Sequence, residues 1–190
     1  MTSPLFQDHF FNPRNAGNLE EDSYQGRAGS LSCGAAIRVS IAVDESQTIS
    51  AIRFKAAGCS VLVATASLLT DSVLGRTTAE TAELARHADL VSQSFDPDVA
   101  GCGTLVGEAL ISAIKDYSDA IRERSRDEWS GDESLICTCF CVSERTIETE
   151  IQKGHLSTVV EVTRACNAGG GCRSCWPLIE DMLAMERTAR

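Results

Sequence analysis

The sequence predicts an α+β fold in which a small antiparallel sheet packed with helices is followed by a small, mainly helical module. Apolar and polar residues alternate from Ile37 to Val43, and a second strand-like run, Ile49–Ala57, follows a short polar turn. Apolar helical segments come next along the chain. A charged segment containing a glycine, residues 122–134, then precedes residues 135–190. We therefore expect a domain over residues 1–121, a linker over 122–134 and a second domain over 135–190.

The helices of the first domain are predicted from their start and stop signals. The segment Ser60–Leu74 is rich in Val, Leu and Ala and is followed by Gly75, which is typical of the position after a helix. Thr77 and Glu80 have the spacing of a capping box, so another helix begins there. After a polar loop, a further helix is predicted from about Thr104 to Ala120.

The second domain has signals for three short helices. Ser143 is suited to cap a helix that ends near Gly154, and Thr158–Glu161 is a second capping box. Trp176–Pro177 opens the last helix, because proline is well placed in a first turn. A module of about sixty residues can bury only a small core, so a bound metal is the expected source of additional stability.

Composition argues against several classes of function. The chain has nine cysteines, an odd number, and its N-terminus lacks the basic and apolar regions of a secretory signal. We therefore expect reduced thiols in the cytoplasm rather than a disulfide framework. The net charge of −10 does not suit nucleic-acid binding, and no apolar stretch is long enough to span a membrane.

Two short cysteine pairs lie in the second domain. Cys137 and Cys139 are separated by one residue, and Cys172 and Cys175 follow a run of three glycines. Four thiolates from two short loops can hold either an iron–sulfur cluster or a structural zinc ion.

Three further cysteines lie upstream, each beside glycine. Cys59 and Cys102 each come just before a predicted helix, and Cys33 precedes Gly34. The start of a helix lowers the pKa of a thiol and favours anionic ligands. One such cysteine alone would most simply be a small core residue, but three in similar settings favour a functional site.

The upstream domain resembles the iron–sulfur cluster assembly scaffolds of the NifU/IscU type. The resemblance rests on Asn12–Gly17, Gly29–Gly34 and Phe54–Ser60, and covers about Pro4 to Tyr117. It implies an α+β domain that is not an enzyme and that assembles a transient [2Fe–2S] cluster. It also implies a cysteine desulfurase as sulfur donor and apo iron–sulfur proteins as acceptors. The resemblance assigns the assembly site to Cys33, Cys59 and Cys102.

The chain departs from this family at two positions near the assembly site. Ala35 stands where the family has Asp, and Gly101 stands where it commonly has His, so no fourth ligand is evident. A second protomer, a persulfide or a small thiol could complete the site, and a non-assembling domain is the alternative. The segment Asp96–Val99 also lacks the proline-rich sequence that a dedicated chaperone recognises in many such scaffolds.

Residues from about Leu135 to Leu183 resemble the [2Fe–2S] domain of the bacterioferritin-associated ferredoxin type. This resemblance implies that Cys137, Cys139, Cys172 and Cys175 bind a permanent [2Fe–2S] cluster. The single residue between Cys137 and Cys139 is atypical of zinc sites, which disfavours the zinc alternative. Cys141 could replace Cys139 if the pair were shifted by two residues, and Cys166 is expected to be a bystander.

The sequence thus predicts a two-domain, NifU-like scaffold that lacks the usual third domain. This scaffold is expected to bind iron, and a homodimer is one possible form of it. The main alternative is a ferredoxin-like electron carrier whose scaffold domain is degenerate and serves only for docking. A zinc-stabilised interaction module is a weaker third hypothesis.

Overall fold

The computed structural model describes residues 3–19, 23–95, 101–129, 131, 133–170 and 173–189. The chain forms two compact units, Met1–Tyr117 and Ser118–Arg190. Within the described residues, no helix combines the length and the apolar character needed to cross a bilayer.

The first unit combines a three-stranded antiparallel sheet with helices, which confirms the predicted α+β class. The three strands pair in chain order, and the two strand-like runs on either side of the polar turn pair with each other as an antiparallel hairpin. The elements in chain order are α1 (Pro4–Phe11), β1 (Tyr24–Ser30), β2 (Ala35–Val43), β3 (Ile49–Ala57), α2 (Ser60–Val73), α3 (Thr78–Arg86), α4 (Ala88–Phe95) and α5 (Cys102–Glu128).

The core of the first unit follows from the alternation that predicted the strands. Val39, Ile41 and Ile52 are completely buried and belong to one cluster with Leu62 of α2 and Leu110 of α5. Burial of each such side chain stabilises the fold by roughly 1.5–3 kcal/mol. This core fixes the end of β3 and the start of α2, between which Cys59 lies, and the start of α5 at Cys102.

The sequence did not predict β1 or α4, and α5 is longer than predicted. β1 has no alternation of large apolar residues, and α4 occupies part of the segment that was assigned to a polar loop. Helix α5 begins at Cys102 rather than near Thr104 and continues to Glu128. The first seven residues of the expected linker, 122–128, are therefore helical.

The second unit is small and mainly helical, as predicted. A two-stranded antiparallel pair, β4 (Leu135–Cys137) and β5 (Val142–Ser143), precedes α6 (Glu144–Gly154), α7 (Val159–Cys166) and α8 (Trp176–Ala189). Ser143 caps α6 and the Thr158–Glu161 capping box opens α7, as the sequence indicated. Ile147, Ile151, Val162 and Ile179 form the centre of a separate core.

The segment after α1 is tied to α2 by a polar cluster around a buried histidine. His9 is only 2% exposed, and its Nδ1 lies 2.8 Å from Ser67 Oγ. The backbone N–H of Arg14 donates to the same hydroxyl, and the Arg14 guanidinium lies 2.9 Å from His9 Nε2. Arg14 also pairs with Asp8 at 2.7 Å. These contacts give the Asn12–Asn15 segment a structural role.

The buried histidine makes stability depend on pH. Burial, and then the charge of Arg14, lower the pKa of His9 from its ordinary value of 6.5, so the folded state favours the neutral ring. The unfolded chain binds the proton more readily, and stability is therefore lost as pH falls below about 6.5 toward the lower folded pKa. We expect the urea unfolding midpoint of the first unit to fall across this range. His9→Gln should flatten that part of the pH profile, and an unchanged profile would contradict the assignment.

Candidate metal centres

The first upstream thiol occupies the N-cap of α2. Gly58 has a φ of 158°, and the chain then turns into the helix at Cys59. The backbone N–H of Leu62 donates to Cys59 Sγ at 3.4 Å, so sulfur takes the place that a hydroxyl or carboxylate usually holds at a helix start. The predicted position of Cys59 before a helix is confirmed, and the side chain remains exposed.

The second upstream thiol meets the first directly. Cys102 is the first residue of α5, and its Sγ lies 3.1 Å from Cys59 Sγ. Burial, and then the neighbouring Cys59, raise the pKa of Cys102 to about 12. Two thiols at this distance cannot both ionise easily in the metal-free protein. A bound cation would remove that penalty, which makes the pair suited to a soft metal.

The third upstream thiol lies on the turn between β1 and β2. Cys33 is exposed, and a hydrogen bond from Ser30 followed by one from the backbone of Ala35 lowers its pKa. The charge of Cys33 contributes to the raised pKa of Cys102, so the turn brings Cys33 to the same end of the unit as the sulfur pair. The structure thus gathers Cys33, Cys59 and Cys102 in one region.

The two positions that depart from the family pattern also lie here. Ala35 is buried, and a Cβ on Gly58 would lie 3.1 Å from the Ala35 methyl group. Gly101 adopts a left-handed φ of 89°, and its N–H donates to Asp89 Oδ1 at 3.3 Å. Sequence reasoning missed Asp89, whose charge also raises the pKa of Cys102. Only its place in the first turn of α4 could have drawn attention to it, and that helix was not predicted.

The downstream cysteines line a small cavity of about 100 Å³ in the second unit. Cys137, Cys139 and Cys175 contribute to its wall, whereas Cys172 lies outside the described residues. Burial, followed by the charge of the adjacent Cys137 and a hydrogen bond with its thiol, raises the pKa of Cys175 to about 11. The structure therefore brings together three of the four predicted downstream ligands.

Aromatic side chains hold the glycine run beside this cavity. Trp176 Nε1 donates to the carbonyl oxygen of Gly169 at 2.9 Å, and a Cβ on Gly170 would lie 3.5 Å from the ring of Phe140. The Arg173 guanidinium lies 5.1 Å from the Trp176 ring. A wall of thiols and backbone fits a soft cluster whose inorganic sulfurs accept weak hydrogen bonds.

The two remaining cysteines lie on a different cavity. Cys141 and Cys166 line a space of about 410 Å³ together with Trp129 and Ser143. Burial raises the pKa of Cys166 to about 11, and its thiol donates to the carbonyl oxygen of Val162 at 3.3 Å. Cys141 and Cys166 thus lie outside the wall formed by Cys137, Cys139 and Cys175. This position supports Cys139, rather than Cys141, as the cysteine that pairs with Cys137.

Both centres share one arrangement, a close pair of thiols with a third thiol nearby. The pairs are Cys59 with Cys102 and Cys137 with Cys175. Among the residues that the structure describes, no three His, Cys, Asp or Glu side chains lie close enough together to hold a metal ion.

An α+β unit with a thiol pair at one end, followed by a small helical unit with thiols in a glycine-lined cavity, defines a metal–sulfur binding protein. Residues 2–124 match the model of the NifU-like N terminal domain, and residues 135–185 match that of the BFD-like [2Fe-2S] binding domain. The chain belongs to the NifU-like family. It carries a [2Fe–2S] binding domain after its scaffold-type domain, as the sequence resemblance implied.

Curated relatives agree with this assignment. The nitrogen fixation protein NifU of Azospirillum brasilense is 32% identical over 181 residues, which are 93% of this chain and 57% of that protein. The mitochondrial iron sulfur cluster assembly protein 1 of Eremothecium gossypii is 35% identical over 119 residues, 60% of this chain and 77% of that protein. The chain spans about 60% of the length of the NifU relatives that it matches.

The fold of the first unit also has solved counterparts. A SUF-system iron-sulfur cluster assembly scaffold protein from Fervidobacterium islandicum superposes with a TM-score of 0.52 and 20% identity. The match covers 59% of this chain and 95% of the other. At this identity the likeness supports the α+β fold alone, in agreement with the predicted class.

Proposed function

We propose that the protein is a scaffold on which an iron–sulfur cluster is assembled and from which the cluster passes to apo-proteins. The observation that carries this proposal is the exposed end of the first unit, where the Cys59 and Cys102 sulfurs lie 3.1 Å apart with Cys33 on the adjacent turn. Thiols that hold a permanent cofactor are usually enclosed, whereas cargo must be able to enter and leave.

The upstream residues have distinct parts in this proposal. Cys33 is exposed and its pKa is lowered, whereas the pKa of Cys102 is raised, so Cys33 ionises more readily than Cys102. In sulfur delivery, a scaffold thiolate attacks the outer sulfur of a desulfurase persulfide, a new S–S bond forms, and the desulfurase cysteine leaves as a thiolate. Cys59 and Cys102 then provide a preformed pair for iron. The carbon–sulfur bond is broken by the desulfurase, so the scaffold itself is not an enzyme.

The downstream unit is proposed to hold a permanent [2Fe–2S] cluster on Cys137, Cys139, Cys172 and Cys175. When bound, this cluster supplies one-electron chemistry. Cys137, Cys139 and Cys175 would line its site together with Gly169, whose carbonyl oxygen accepts a hydrogen bond from Trp176. The unit can in this way accept or donate an electron while assembly proceeds on the first unit.

The proposed partners are a cysteine desulfurase and apo iron–sulfur acceptors, and the nine thiols suit a reducing compartment such as the cytoplasm. With Ala35 and Gly101 in place, the chain offers three thiols to a core that needs four ligands. A second protomer could supply the fourth, so we propose that a loaded homodimer forms at this site.

Reconstitution tests the scaffold directly. Protein purified without oxygen should contain one [2Fe–2S] cluster. Incubation with a desulfurase, cysteine, ferrous iron and a dithiol, which reduces persulfide sulfur to sulfide, should add a second cluster that transfers to an apo-ferredoxin. We expect Cys33→Ser, Cys59→Ser and Cys102→Ser each to prevent the second cluster while leaving the first intact. Iron and sulfide counts and transfer rates provide the measurement, with Cys166→Ser as the matched control.

The same experiment distinguishes the alternative. Ala35, which stands where the family has Asp, is a buried alanine beside Gly58 and offers no ligand, and this observation favours a degenerate scaffold domain. If reconstitution adds no second cluster and no persulfide is mapped on Cys33, Cys59 or Cys102, the electron-carrier function becomes the better explanation.

A further inference from the structure

An arginine from the last turns of α5 contacts a loop of the downstream centre. Arg122 Nε donates to the carbonyl oxygen of Cys139 at 2.6 Å. The same guanidinium lies 5.9 Å from the ring centroid of Phe140, the next residue of the loop, and its Nη1 lies 3.1 Å from Asp119 Oδ1. One side chain thus joins α5 to two consecutive residues of the loop.

These contacts belong to the second unit. That unit begins at Ser118, and Ile121 packs against its core beside Arg122. The match to the [2Fe-2S] binding domain model begins later, at residue 135. The end of α5 is therefore part of the structure that holds the cysteine loop, although it lies outside the matched segment.

The chemistry of the contact suits a positioning role. A guanidinium always carries its charge and donates in a fixed plane, so a hydrogen bond from Arg122 constrains the Cys139 peptide more than a flexible ammonium would. Phe140 is 4% exposed and its ring faces the Gly170 backbone, so fixing Phe140 also fixes the distance between the two cysteine loops. A fixed positive charge near the thiolates further favours the reduced, more negative cluster.

We propose that Arg122 is a positioning residue of the downstream [2Fe–2S] site, which holds the Cys139 loop in place and raises the reduction potential of the cluster. This inference rests on the proposed ligand role of Cys139. It adds the end of α5 to the residues that form the downstream site, and it assigns a role in that site to the charged segment after Ala120.

The test compares Arg122→Gln, Arg122→Lys and Arg124→Gln in the full chain. Arg124→Gln is the matched control, because it removes the same charge from an exposed position of the same helix without a described contact. We expect Arg122→Gln to make the cluster harder to reduce, with the ratio of reduced to oxidised cluster at a fixed potential falling by about threefold or more. For a one-electron couple a tenfold change corresponds to about 59 mV. Arg122→Lys should fall between Arg122→Gln and the parent.

A second measurement uses the metal-free protein and so does not depend on the cluster. Cys139 should be alkylated by iodoacetamide several times faster in Arg122→Gln than in the parent or in Arg124→Gln, as followed by peptide mass mapping. Circular dichroism verifies that the helices persist, and Arg122→Lys decides the matter if Arg122→Gln does not fold. Equal potentials and equal alkylation rates in Arg122→Gln and Arg124→Gln would overturn the proposal. Failure of the ligand assignment would instead appear as a cluster retained in Cys139→Ser.

Discussion

Replacement of Cys175 by serine is expected to abolish the visible absorbance of the cluster that the protein carries as purified. The Cys175 side chain is buried at the cavity wall and adjacent to Cys137, so a hydroxyl there would present a hard, protonated oxygen to iron. Cys137→Ser, Cys139→Ser and Cys172→Ser should have the same effect. Absorption and electron paramagnetic resonance spectra of the reduced protein provide the measurement.

Two controls make the cysteine series decisive. Each change is best made in a chain that also carries Cys33→Ser, Cys59→Ser and Cys102→Ser. Visible absorbance can then come only from a cluster bound at the downstream centre. Cys166→Ser should retain the spectrum, because Cys166 lines another cavity. A spectrum that survives Cys139→Ser and disappears in Cys141→Ser would show that the pair is shifted by two residues.

Replacement of Gly26 by alanine is expected to destabilise the first unit by roughly 3 kcal/mol or more, at the upper end of overpacking effects. A Cβ on Gly26 would collide with backbone atoms of Ala109 and Ala113 in α5. Backbone cannot move aside as a side chain can, so β1 and α5 would have to separate. Because α5 begins at Cys102, this separation would also disturb the sulfur pair. Urea unfolding of the first unit measures the change.

The control for Gly26 lies on the same strand. A Cβ on Gly29 would approach its nearest atom, the carbonyl oxygen of Ala35, at 3.3 Å, which requires a shift of only a few tenths of an ångström. We expect Gly29→Ala to cost much less than Gly26→Ala. Equal midpoints for the two variants would show that the close approach of β1 and α5 does not matter to stability.

Local signals were sufficient to predict much of the fold. The alternation in Ile37–Val43 and the capping boxes at Thr77 and Thr158 each depend on neighbours within a few residues, and each is confirmed. The settings of Cys59 and Cys102 were visible for the same reason, since glycine and a helix start adjoin each of them.

The features that the sequence did not reveal depend on contacts with distant residues. β1 is a strand because it pairs with β2 and because Gly26 admits the backbone of α5. The charged residues after Ala120 predicted a linker, but Glu and Arg also favour helices. Ile121 packs against the second core, and α5 continues through the charged residues to Glu128. Arg122 and Asp89 gain their significance only from the loops beside which they fold.

The sulfur at the start of α2 bears on how the chain has been selected. A serine or aspartate at position 59 would be a better N-cap than a thiol, because oxygen accepts the Leu62 hydrogen bond more strongly than sulfur does. A domain that had retired from assembly could drift toward such a residue and gain stability at no functional loss. A thiol at a position where oxygen would cap the helix better is what a requirement for sulfur chemistry predicts, and it favours a working scaffold over a degenerate domain.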